Sequence, residues 1–187
     1  MDTNTALLIV VVVVAAAIIA IAYVYLQKRR SQELRSRFGP EYDRVLQEEG
    51  SKRHAEALLE KRAQRVERLN IRSLSAAECD RFKREWQEEQ ARFVDDPQQA
   101  VANADILVRD LMRARGYPVA DFEQRMEDIS VDHPVVVRNY RIAHEIALRD
   151  QRGEADTEAL RRALMHYREL FVELLEERAP ERMEMRK

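Results

Sequence analysis

Residues Ala6 to Leu26 form an unbroken run of 21 residues without a charge, a glycine or a proline. At about 1.5 Å rise per residue a helix of that length covers about 31 Å, matching a hydrocarbon core of about 30 Å. The β-branched stretch Val10 to Val14 disfavours a helix in water. In lipid the backbone must satisfy its own donors and acceptors, so the helix is expected there. Tyr23 and Tyr25 lie at one end, where interfacial aromatics belong. A cleaved signal peptide would begin with basic residues and end in a small-residue cleavage site. Here the run comes after Met-Asp-Thr-Asn-Thr and ends in Tyr23-Val24-Tyr25-Leu26, directly before charges. We therefore read residues 6–26 as an uncleaved transmembrane helix. Ala16 and Ala20 add a small-xxx-small pair, a spacing that occurs easily by chance in an Ala-rich segment.

The flanks give the run a direction. On its C-terminal side Lys28, Arg29, Arg30, Arg35 and Arg37 oppose only Glu33, while the N-terminal side holds Asp2 and no basic residue. The positive-inside rule then predicts an inner-membrane protein with its N-terminus outside and its C-terminal domain in the cytoplasm. The same five cations are placed to touch anionic headgroups. From Lys28 to the end the chain carries 32 basic and 33 acidic residues, a net charge of −1. So balanced a domain argues against nucleic-acid binding, which needs a basic excess on one face. The single cysteine, Cys79, rules out an intramolecular disulfide.

The whole chain is 35% charged, with only four glycines and five prolines, a composition of solvated helices. Punctuation divides the part beyond the membrane run. Phe38-Gly39-Pro40 ends the first helix, and Pro40, Glu41 and Asp43 suit the first turn of the next. Gly50 stops that one. Leu58, Leu59, Ala63, Val66 and Leu69 form a narrow apolar stripe that fits a stalk-like or a packed helix. Ser75 and Glu78 have capping-box spacing. They open a helix with Cys79, Phe82, Trp86 and Phe93 along one side. Asp96-Pro97 starts another, with Val101, Ala104, Leu107, Val108 and Leu111 in step, and Gly116 ends it. Asp121 caps a short helix. Asp132-His133-Pro134 reads as a further helix start, and Asp156 or Thr157 caps the last long helix. The expectation is an all-α protein: one transmembrane helix, then a cytoplasmic helical bundle or hairpin array. Its parts are a short N-terminus (1–5), the span (6–26), charged juxtamembrane and stalk-like helices (27–70), a helical domain (71–178) and a flexible tail (179–187).

The sequence shows no catalytic constellation, and we assign it no metal or cofactor. His54, His133, His144 and His166 include no pair three or four apart, so no zincin spacing arises. Four scattered glycines build no phosphate loop. Asp121, Glu123, Glu127, Asp128 and Asp132 crowd one region, but their spacing is not that of an EF-hand loop. Two segments combine turn chemistry, aromatics and charge: Arg115 to Val119 and Ser130 to Pro134. From them and the adjoining Asp121 we take Arg115, Tyr117, Asp121, Asp132 and His133 as the candidate interaction surface.

Several stretches carry a resemblance: Arg37-Phe-Gly-Pro-Glu-Tyr-Asp-Arg44, Arg92-Phe-Val-Asp-Asp-Pro97, Arg115-Gly-Tyr-Pro118, Ser130-Val-Asp-His133 and His166-Tyr-Arg-Glu-Leu-Phe171. They resemble a family of uncharacterised single-pass membrane proteins of high-GC bacteria. The resemblance implies an N-terminal membrane helix joined to a helical domain, and no activity. Three functional expectations remain. The first is a membrane-tethered interaction or scaffold module with a protein partner or self-association. The others are an enzyme whose site forms only in three dimensions, through His144, His166 or the acidic cluster, and an envelope sensor acting through oligomer state.

Overall fold

A computed structural model describes residues 3–119 and 121–176 of the chain. The expected tail at 179–187 and the first two residues lie outside that range. The described residues form eight helices and no strand. These are α1 (Thr3–Phe38), α2 (Pro40–Glu49), α3 (Lys52–Glu67), α4 (Ala76–Arg92), α5 (Pro97–Arg115), α6 (Phe122–Asp132), α7 (Val137–Gln151) and α8 (Thr157–Glu176). The all-α expectation holds. Two compact units divide within α3, after Leu59.

In the first unit α1 runs without interruption from the apolar stretch into the charged one. Residues 12–38 form a helix long and apolar enough to cross a membrane. Its side chains from Val12 to Arg30 are exposed throughout. Gly39 turns the chain and Pro40 starts α2, as the residue types predict. Beyond the apolar stretch Leu34, Phe38, Tyr42, Val45, Ala55 and Leu59 are all buried. Glu56 adds polar closure, accepting hydrogen bonds from Ser31 and from Tyr42, the latter at 2.8 Å. Arg35 pairs with Asp43 at 3.0 Å across the α1–α2 turn.

The second unit holds the main core, built from α4, α5, α7 and α8 with α6 laid against α7. The apolar stripe of α3 that could have served a stalk is packed instead: Ala63 and Val66 are buried. Caps position the helices as predicted. Ser75 and Glu78 form both bonds of the capping box. Asp96, Asp121 and Asp156 accept the N–H groups of Gln99, Gln124 and Ala159. One boundary differs. Asp132-His133-Pro134 does not start a helix: His133 closes α6 by donating its N–H to the Ile129 carbonyl at 2.8 Å, and α7 begins at Val137. The reason is local. A residue before proline is pushed out of the helical region, and His133 sits at φ −127°, ψ 55°.

Gly116 shows how tightly this unit closes. It ends α5 at φ 96°, and a Cβ there would lie 2.4 Å from the Asn70 carbonyl oxygen. The facing segment is held by Arg72, whose N–H donates to the Arg115 carbonyl at 2.9 Å. Gly153 also has positive φ, at 72°, but its Cβ direction is open. Gly153→Ala should therefore cost only the left-handed backbone, about 1 kcal/mol. Gly116→Ala should cost more than about 2 kcal/mol, because a backbone segment must also move. Denaturant unfolding of the two variants followed by circular dichroism checks the order; equal costs would contradict the close approach.

Candidate interaction surface

The five residues singled out from sequence do not form an exposed patch. Arg115 is 0% exposed, Tyr117 2% and His133 2%. Arg115 is the last residue of α5, and its Nη1 donates to the Leu174 carbonyl at 2.8 Å, near the end of α8. Tyr117 donates its hydroxyl to Asp132 at 3.1 Å. His133 approaches Glu173 of α8 through Nδ1, at 3.4 Å. Asp121 stays at the surface as the cap of α6. The turns form where the residue types place them, but four of these side chains clasp α5, α6 and α8 to one another. This corrects their reading as an interaction surface. The segments carry aromatics and charge because their turns are packed inward.

The acidic cluster likewise disperses into separate tasks. Asp121 caps α6, while Glu127 and Asp128 face the end of α3. Arg62 reaches Glu127 at 3.1 Å, and Arg65 reaches Glu127 at 2.8 Å and Asp128 at 2.7 Å. The Asp128 side chain is fully buried. Burial raises its carboxyl above the ordinary value, and Arg65 pulls it back. Among the described residues no group of three or more His, Cys, Asp or Glu side chains is placed to hold a metal ion.

His144 and His166 occupy α7 and α8. His144 stacks on Phe122, with ring centroids 3.6 Å apart, and burial lowers its pKa. Near it lies a polar group that the sequence did not signal. Tyr167 donates to Asp105 at 3.2 Å, Arg109 pairs with Asp105 at 3.1 Å, and Arg125 donates to the Tyr140 hydroxyl at 3.2 Å. Burial pushes Tyr140 up to about 12 and Tyr167 further in the same direction. These hydroxyls remain protonated near neutrality and serve as hydrogen-bonding groups inside the core. The spacing of Asp105 and Arg109, four apart on α5, was the only trace of this group in the sequence.

The accessible feature lies elsewhere. The outer face of α8 and the start of α7 enclose an open groove of about 450 Å³ lined by Val136, Met165, Arg168, Glu169, Val172 and Glu173. Its apolar floor is exposed: Met165 by 51% and Val172 by 37%, with Val135 next to Val136 in the chain at 72%. A second, smaller groove of about 210 Å³ between α4 and α5 is acidic, with Glu85, Glu88, Glu89 and Asp110 around Ile106. On the first unit Lys28, Arg29, Arg30, Arg35 and Arg37 are all exposed. Against family models, curated proteins and solved structures, nothing matches this chain.

The Arg65–Asp128 pair generates a pH-dependent expectation. A carboxyl whose folded pKa is raised favours folding in its protonated form. That contribution is complete below the unfolded value and is lost as pH rises through the folded one. Arg65→Met removes the group that lowers the Asp128 pKa and leaves a buried carboxylate poorly paired. The variant should be less stable by about 2 kcal/mol at pH 7. The deficit should narrow as the pH falls into the acid range, and Asp128→Asn in the same chain should recover part of it. Denaturant unfolding at a series of pH values reads this directly; a deficit independent of pH would show that the pair is not the cause.

Proposed function

We propose that this chain is a membrane-tethered helical interaction module, anchored in a bacterial plasma membrane with its N-terminus outside and its helical domain in the cytoplasm. The observation that carries the reading is α1. It is a continuous helix with an apolar stretch of membrane-spanning length whose described side chains face outward, including Ile18, Ile21 and Leu26, all more than 60% exposed. In water so large an apolar surface would be a liability, and lipid removes it. The exposed basic flank supports the orientation through the positive-inside rule and adds headgroup attraction of about 1 kcal/mol per residue near the surface. An exposed apolar groove rimmed by charges on the second unit supports the interaction part of the reading.

The full chain expressed in a bacterium should stay with the membrane pellet through alkaline carbonate extraction. A reporter enzyme active only outside the cytoplasm should be silent when fused to its C-terminus and active when the fusion is placed before Ala6. Release into the carbonate supernatant would remove the tether, and a strongly active C-terminal fusion would reverse the orientation.

A further inference from the structure

The exposed face of α8 has a charge order that runs against its own helix. Arg161, Arg162 and Arg168 come first, then Glu169, Glu173 and Glu176, all exposed, with Glu169 also accepting from Asn139 and Glu173 lying 3.4 Å from His133. A helix carries positive partial charge at its N-terminus and negative at its C-terminus, so acids early and bases late would stabilise it. Here the order is reversed along the described residues of α8. Glu158 departs from the pattern, and it is taken up locally by Arg161 at 2.6 Å. Met165 lies in the basic half and Val172 in the acidic half, seven residues apart on the same face and both exposed. They form the apolar floor of the groove.

We infer that this face receives a second copy of the same chain, with the two α8 helices packed antiparallel. The register is set by the residues. A two-fold axis between Arg168 and Glu169 sets Arg168 opposite Glu169, Met165 opposite Val172 and Arg161 opposite Glu176, each pair occurring twice. The basic half of one copy then meets the acidic half of the other, and Met165 of the second copy enters the groove beside Val172 and Val136. The contact is isologous, so it closes as a dimer and does not propagate. Two single-helix faces bury less than the roughly 1,200–2,000 Å² typical of a stable free-standing interface. The pairing is therefore weak in dilute solution and relies on confinement by the anchor to raise the local concentration. In this respect it rests on the membrane-tether reading, which carbonate extraction tests separately.

Two differently tagged full-length chains, one carrying Met165→Cys and the other Val172→Cys, are co-expressed and oxidised in isolated membranes, with the parent chain and its Cys79 as the background. The mixed pair should cross-link at least five-fold more than either variant with itself. In the antiparallel register two copies of position 165 lie about 10 Å apart along the axis, at about 1.5 Å per residue. Adding Arg168→Glu to both chains should reduce the mixed cross-link at least five-fold, and adding Glu169→Arg as well should restore it to within two-fold of the original. Both substituted positions are exposed, and circular dichroism confirms that the variants fold. Equal cross-linking of mixed and like pairs, or indifference to Arg168→Glu, overturns the proposal. Failure of the double reversal to restore the cross-link also overturns it and points to a different protein on this face, leaving the interaction reading intact. Cross-linking is scored in whichever fraction holds the chain, so loss of the tether and loss of the pairing are read apart.

Discussion

A guanidinium with no exposure to water is buried in the second unit, and a charge so placed must be hydrogen-bonded. Arg115 ends α5, and its Nη1 donates to the Leu174 carbonyl of α8 at 2.8 Å. A buried cation is costly unless it is hydrogen-bonded. One side chain therefore ties the end of α5 to α8. Its own carbonyl takes the Arg72 N–H, and Gly116 then lets the Asn70 backbone approach too closely for any side chain. The unit closes around these contacts, with Trp86 stacked on Phe171 at 4.6 Å and Tyr140 edge-on to Tyr167 at 6.0 Å within the core they frame.

The same principle recurs at the other inward-facing charges. Asp128 is held by Arg65, and Arg125 is bonded to the Tyr140 hydroxyl. Asp105 accepts from Tyr167 while pairing with Arg109. These groups specify how α3, α5, α6, α7 and α8 meet more narrowly than apolar packing does, because each leaves a polar atom stranded if the register slips. A chain rich in Arg, Asp and Glu can thus have a specific interior without a large aromatic content.

Much of the architecture was legible because its signals are local. A capping box, an Asp-Pro start, a glycine stop and an apolar period of three to four each depend on residues within one turn of one another, and Ser75, Asp96, Gly116 and Asp121 all act as their spacing predicted. Sequence and structure part where a local signal has two outcomes that only packing separates. Arg115, Tyr117 and His133 mark turns whether the turn faces water or the core, and the neighbouring helices decide for the core. The α3 stripe was equally compatible with a stalk. Asp132-His133-Pro134 contains both a cap residue and a proline, and the His133 backbone conformation made it an ending. The groove was invisible for a different reason: it needs the start of α7 brought beside the middle of α8, which is distant in sequence. The charge order on α8 was present in the sequence, but without knowing which face is buried it reads as an ordinary solvated helix.

The reversed order on α8 is tolerable because other groups of the unit serve that helix. Asp156 and Glu158 supply the negative charge its N-terminus favours, and Asp156 accepts the Ala159 N–H at 2.7 Å. Further along α8 the buried Arg115 donates to the Leu174 carbonyl. With such groups supplied from within the unit, the charges on the outer face are released from stabilising their own helix. An arrangement that runs against the helix dipole becomes available for recognition. The residue that closes the core therefore also makes room for the outer face to carry a complementary pattern. On the proposed reading, a helix whose internal electrostatics are settled from behind offers its exposed gradient to the one surface guaranteed to match it in reverse, a copy of itself.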